Sequence, residues 1–249
     1  MTTMVSVDGT TLSEKTMRIS SFEIGTVVKV ERIPNDCTTS NGDNGKCRLF
    51  RVKNGGELYL SWVHLTGGHV GLTAQTIVSS KNDYEHFCGG LIYVHGLSSK
   101  LHAISSTFGT GSIVDLPTQK TAWTGGAIYA RGGPITASRG PVVVLEDSEV
   151  IGNWADIEGG GLSVYNTKSS LIRTSVRGNK ITTASASYGG GGIAVNYNSL
   201  LIAVDSVISD NSAHAMGRGA GVKMRYGCDP TDVDGCNRVV LANTVRLIC

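Results

Sequence analysis

A Gly cluster followed by a short aliphatic run recurs four times in this chain: GGAIYA at Gly125–Ala130, GGGLSV at Gly159–Val164, GGGIAV at Gly190–Val195 and GAGVKM at Gly219–Met224. Aligned on Ile128, Leu162, Ile193 and Val222, the copies stand 34, 31 and 29 residues apart. A second block follows each of the first three: EDSEVIGN ending at Asn153, IRTSVRGN ending at Asn179 and AVDSVISDN ending at Asn211. A degenerate copy, LANTVR, lies at Leu241–Arg246. Earlier rungs are CGGLIYV at Cys88–Val94 with ISSTFGTG at Ile104–Gly111, and the stretch Leu49–Gly68. A fixed period near 30 residues is the signature of a solenoid, whose units bury their apolar side only against neighbours. Runs such as VVVLEDSEV, SLIRTSV and LLIAVDSV are short and β-branched, which suits strands and not helices. The expected fold is all-β: a single-stranded right-handed parallel β-helix of about six coils. Its expected inward positions are Ile128, Val143 and Val150, then Leu162, Leu171 and Val176, then Ile193, Leu201 and Ile208, each stacked on its equivalent one coil up, with Gly at tight corners.

Composition narrows the field further. There are 33 Gly but only 5 Pro, and 17% of residues are charged against 40% hydrophobic. Gly does not fall at every third position, which excludes collagen, and the apolar content excludes wholesale disorder. The net charge of +2 gives no electrostatic case for nucleic acid or anionic lipid. No run of about 18 apolar residues is present to make a membrane helix.

The paired blocks GGAI/VIGN, GGGL/VRGN and GGGI/ISDN resemble the polymorphic outer membrane protein repeat, which couples a GGA[I/L/V] block to FxxN. The resemblance covers Gly125–Asn211 well and Leu49–Gly111 loosely, and extends to the broader pectin-lyase-like β-helix superfamily. This chain departs from it by carrying Val150, Val176 and Ile208 where the pattern has Phe. The resemblance implies a surface-exposed adhesin. No alternating strands of a membrane barrel follow in this sequence.

Three groups of polar residues invite a chemical reading. Asn153, Asn179 and Asn211 form a column read as an asparagine ladder, with a ligand groove as the alternative. Six residues earlier stand Asp147, Arg173 and Asp205, continued by Asn243 and flanked by Ser148, Thr174, Ser206 and Thr244. Two carboxylates bracketing an Arg could act as acid and base on a sugar chain, or bind Ca²⁺. Asp147 and Asp205 would lie about 9–10 Å apart at strand spacing, near the separation of an inverting glycosidase pair. The bland reading is an ion-pair ladder on an exposed face. The third group, Asp229, Asp232 and Asp234, offers oxygen ligands for weak calcium, although Thr231 breaks the EF-hand pattern. Six scattered His show no zinc spacing, and neither a G-x-S-x-G elbow nor a phosphate-binding loop occurs.

Cysteines speak for an oxidising compartment. Cys37 with Cys47 and Cys228 with Cys236 bracket short, polar loops and read as local disulfides, with zinc the weaker alternative; the pairing of Cys88 and Cys249 stays open. Met1–Glu14 is polar and unlike a secretory signal, so the expectation is an extracellular or cell-surface segment whose signal lies outside this numbering. Residues 1–48 are expected to form an N-terminal cap and first coil with a disulfide loop, and residues 49–249 the helix proper. The end, Leu241–Cys249, reads as a strand without a cap, which implies a fragment or an end-to-end or assembly contact there. The leading functional expectation is a non-enzymatic module for adhesion, glycan binding or assembly, with a polysaccharide or another protein as partner. A polysaccharide lyase or glycoside hydrolase using Asp147, Arg173 and Asp205 is the alternative, and a structural subunit of a larger assembly the second.

Overall fold

The computed structural model describes residues 3–6, 10–13, 15–21, 27–31, 48–68, 88–109, 122–133, 140–182, 189–214, 219–225, 237–243 and 247–248. Cys37, Cys47, Cys228, Cys236, Cys249 and the acids Asp229, Asp232 and Asp234 lie outside the described residues. Within them every regular element is a β-strand, and every pairing between strands is parallel.

Strands are numbered in chain order and fall into four sheets. Sheet I holds β1 (Thr3–Ser6), β4 (Val28–Glu31), β7 (Val63–Thr66), β10 (Thr107–Gly109), β14 (Glu149–Ile151), β18 (Ser175–Arg177), β22 (Val207–Ser209) and β25 (Leu247–Ile248). Sheet II holds β2 (Thr10–Ser13), β5 (Phe50–Lys53), β8 (Ile92–His95), β12 (Ile128–Arg131), β16 (Leu162–Tyr165), β20 (Ile193–Asn196) and β23 (Val222–Arg225). Sheet III holds β3 (Thr16–Ser20), β6 (Glu57–Ser61), β9 (Lys100–Ile104), β13 (Val142–Glu146), β17 (Lys168–Ile172), β21 (Leu200–Val204) and β24 (Arg238–Ala242). The short sheet IV joins β11 (Ala122–Thr124), β15 (Trp154–Glu158) and β19 (Lys180–Ile181). The chain visits I, II and III in rotation, and each strand pairs with its equivalent one circuit later.

Alternation sets the inward face. In β6, β13 and β21 the second and fourth residues are buried and the others only partly so, as period 2 demands. Phe50, Ile92, Ile128, Leu162 and Ile193 form one buried column of sheet II. Leu65, Phe108, Val150, Val176 and Ile208 form the column of sheet I. Together with the sheet III residues they make a single apolar cluster. Burying each such side chain contributes about 1.5–3 kcal/mol.

Two expectations need correction. Against about six expected coils, sheets II and III each hold seven strands among the described residues, and β25 follows as an eighth in sheet I. Leu171 does not stack between Val143 and Leu201: it pairs with Leu145 and Ala203, and Ser169 takes the place between Val143 and Leu201. The slip of two residues keeps Leu171 inward but changes its neighbours, as period 2 allows.

Glycine is required at the corner entering sheet II. Gly159 has φ +63, and a Cβ there would lie 2.5 Å from the Leu162 carbonyl oxygen. A Cβ on Gly160 would lie 2.3 Å from the Gly191 oxygen of the next circuit. These corners set the side chains just before them against the outer face of sheet II.

Candidate functional site

The corner from sheet III to sheet I carries the Asp147/Arg173/Asp205 column, and its cause is backbone geometry. Trp62, Ser105, Asp147, Arg173, Asp205 and Asn243 all adopt left-handed φ between 47° and 58°. Asp and Asn tolerate that conformation better than other non-Gly residues. After Ser105, Asp147, Arg173 and Asp205 the next residue supplies a buried hydroxyl that stitches the circuits together. Val63 N–H donates to Ser106 Oγ (3.2 Å), Ser106 N–H to Ser148 Oγ (3.1 Å) and Thr174 N–H to Ser206 Oγ (3.1 Å).

The structure brings Asp147 and Arg173 together. Arg173 Nε donates to Asp147 Oδ1 (2.6 Å), and its Nη2 donates to Asp147 Oδ2 and Glu146 Oε1 (2.8 Å each). The guanidinium holds the Asp147 carboxyl below its ordinary range, and its two acid partners push Arg173 higher. Asp205, one circuit further, makes no ion pair with Arg173. A carboxylate held ionised by a bidentate Arg is a poor proton donor near neutral pH, and Asp147 with Arg173 forms an ion pair on an exposed turn.

Asn153, Asn179 and Asn211 stand at the end of the sheet I strands and are buried. Asn179 Oδ1 accepts from the Asn153 backbone N–H and Nδ2, and Asn211 Oδ1 accepts likewise from Asn179, all at 3.0 Å. Each Nδ2 also donates to a sheet I carbonyl of the preceding circuit: Phe108, Val150 and Val176 respectively. Amides so occupied present nothing to a ligand.

The outer face of sheet II gathers the residues that sequence reasoning missed. One outward column runs Arg51, Tyr93, Tyr129, Ser163, Ala194, Lys223, and its neighbour runs Lys53, His95, Arg131, Tyr165, Asn196, Arg225. Cations and rings interleave. Arg48 lies over the Tyr93 ring (4.9 Å) and Arg131 over Tyr165 (5.2 Å). Tyr93 stacks on Tyr129 at 5.7 Å, and Tyr165 packs on Tyr197 at 4.4 Å. Tyr93, Tyr129, Ser163 and Ala194 are buried, so the middle of the first column is covered, while Arg51, Lys53, Arg131, Tyr165, Lys223 and Arg225 are partly exposed.

Three further groups lie beside these columns. Cys88 is a free, buried thiol in register with Thr124, which is in register with Glu158. Arg48 donates to the carbonyls of Cys88 and Gly89. Glu158 ends β15 just before Gly159, and its Oε1 accepts from Asn196 Nδ2 (3.1 Å) while Oε2 lies 3.7 Å from Arg225 Nη1. Burial pushes the Glu158 carboxyl up, against the lowering pull of Arg225, Lys223 and Asn196.

The signal for this site is present in the strands IYVH, IYAR, LSVY, IAVN and VKMR, whose second and fourth residues are aromatic, cationic or polar. It becomes readable only once the register shows which columns they share, and the chain's near-neutral net charge hides it. No family model, curated protein or solved structure matches this chain. Residues and their geometry therefore carry the functional reading.

Proposed function

We propose that the chain is a right-handed parallel β-helix acting as a non-enzymatic extracellular or cell-surface module that binds an anionic polysaccharide along the outer face of sheet II. The rotation through three parallel sheets supports the helix, and its hand follows the near-universal preference of parallel crossovers. The single observation behind the binding reading is the gathering of five partly exposed cations, Arg51, Lys53, Arg131, Lys223 and Arg225, in the two outward columns of sheet II, with the partly exposed Tyr165 among them. The exposed part of the Tyr165 ring gives a sugar a stacking surface, and guanidiniums match carboxylate or sulfate oxygens. Successive circuits repeat at about 4.8 Å, which offers a linear polyanion a series of contacts. An extracellular setting is supported by the two close cysteine pairs in the sequence.

The test is retardation of the protein in gels containing polygalacturonate, dextran sulfate or unsubstituted dextran. Retention by an acidic polymer, weakened by salt and by Arg131→Ala but not by Asp147→Asn, is the expected result. Equal mobility in all three gels would reject the reading.

A second reading, assembly, draws on the last circuit. Met224 and Leu241 continue inward columns yet are 49% and 43% exposed, an apolar layer that another β-layer would cover. Sedimentation should then reveal concentration-dependent association that Leu241→Lys removes; a monomer at every concentration would reject it.

A further inference from the structure

Sheet III changes character along its length. Its earlier strands alternate: β6 is ELYLS and β9 is KLHAI, apolar inward and mostly polar outward. Further on the alternation is lost. β21 is LLIAV, apolar at all five positions, and β13 opens with VVVL. Alternation marks a strand with one face in water, whereas a continuous apolar run marks a strand covered on both faces. The inward residues Val143, Leu145, Leu201 and Ala203 are fully buried. The outward residues Val142, Val144, Leu200, Ile202 and Val204 are only partly buried, and Val240, paired with Ile202, is 47% exposed. These strands therefore have the composition of a doubly covered sheet and an outer face still open to solvent.

Size and shape point to a second sheet as the missing cover. The seven strands of sheet III and the corner that follows them make a face about 34 Å by 20 Å at the usual strand spacing and rise. That is roughly 700 Å² of plane, close to the about 800 Å² that each partner contributes to a standard stable interface. An apolar centre over β13–β24 with polar strands beside it is also the layout of such interfaces. Flat sheet faces pack on one another at about 10 Å, so the surface that fits this one best is another of its kind.

Charges on the two long edges of the face select its partner and the orientation. Lys168 opens β17 on one edge, and Asp205 follows β21 on the other. Both are exposed, and among the described residues neither forms an ion pair. They lie about 17 Å apart at the rise of a strand, too far to pair within one chain. Their neighbours are already engaged, Lys100 with Glu57 and Arg173 with Glu146 and Asp147. A two-fold axis along the stack of circuits makes strands antiparallel across the contact and lays Lys168 against Asp205 of the second copy, twice over. A two-fold axis along the strands would instead set each edge against itself, cation facing cation.

We infer that the outer face of sheet III is the contact face of a two-fold homodimer, closed on the aliphatic patch around Ile202 and keyed by reciprocal Lys168–Asp205 pairs. This side face is distinct from the cationic face of sheet II and from the apolar layer of the last circuit. An isologous contact of this kind closes at two copies.

The experiment is sedimentation velocity of the full chain across the micromolar range, each variant first shown to melt cooperatively. The parent and Leu241→Lys, which disables the last-circuit layer, should both reach a dimer. Ile202→Lys, at the centre of the outer face, should remain monomeric at every concentration. Lys168→Asp and Asp205→Lys should each raise the dimer dissociation constant by roughly tenfold, since two exposed pairs are lost per dimer. The two changes combined in one chain should restore it. A monomeric parent overturns the inference, as does a dimer that Ile202→Lys leaves intact. Single reversals without effect, or a double reversal that restores nothing, also overturn it. Association lost altogether in Leu241→Lys would overturn it too and assign the contact to the last circuit. Binding of a monomeric chain to phosphatidylcholine vesicles, lost in Ile202→Lys, would give the patch to a lipid surface and overturn it equally.

Discussion

Ser169 places a hydroxyl in a column otherwise made of Leu58, Leu101, Val143, Leu201 and Val239. It is fully buried, and its Oγ has no hydrogen-bond partner. A neutral hydroxyl so placed is a net liability, so Ser169→Ala should raise the unfolding free energy by about 1 kcal/mol. A urea titration with unchanged slope checks it, and a lower midpoint would mean the hydroxyl has a partner after all. Cys88 is the opposite case, a polarisable group content in an apolar niche. It clusters with Tyr93 and Tyr129, and burial pushes its thiol up to about 12. Because the thiolate is the reactive form, iodoacetamide at pH 8 should leave the Cys88 peptide unlabelled in the folded chain and label it fully in urea. Labelling at equal rates in both would show that the thiol is open to solvent.

Strands and ladders explain which features the sequence displayed. The Asn column was legible because all three members end the same block, two residues beyond the last strand residue, and identical amides stack only when their offset is identical. Asn179 is its centre: it takes two hydrogen bonds from Asn153 and bonds Asn211 and the Val150 carbonyl. Asn179→Ala strands several buried groups at once and should cost about 3 kcal/mol. The readout is a fall in urea midpoint larger than for the exposed Asp147→Asn, and similar midpoints would deny the ladder a structural role. The Asp147/Arg173/Asp205 column was equally visible and more easily misread. Its polar character follows from the left-handed turn that Ser105 and Asn243 share, a requirement that leaves the same mark on a sequence as shared chemistry. The outer columns of sheet II stayed hidden because their members differ from circuit to circuit. Tyr129, Ser163 and Ala194 are neighbours in space yet share no residue type.

At the scale of the molecule, glycine spacing carried most of the fold, since a corner that excludes Cβ must recur wherever the next circuit begins. The rotation through three sheets makes contact essentially one-dimensional, so energetic coupling should follow circuit number and not sequence distance. Ile92 and Ile128 are fully buried neighbours in adjacent circuits, whereas Ile92 and Ile193 are separated by the circuits of Ile128 and Leu162, about 14 Å at strand spacing. Each Ile→Val change should cost about 1 kcal/mol. In double-mutant cycles by urea unfolding, Ile92→Val with Ile193→Val should be additive within about 0.5 kcal/mol, and Ile92→Val with Ile128→Val should depart from additivity by more than that. Coupling between Ile92 and Ile193 as strong as between Ile92 and Ile128 would contradict stacking in this register. Additivity of both pairs would mean that neighbouring circuits do not share the cavity their common column requires.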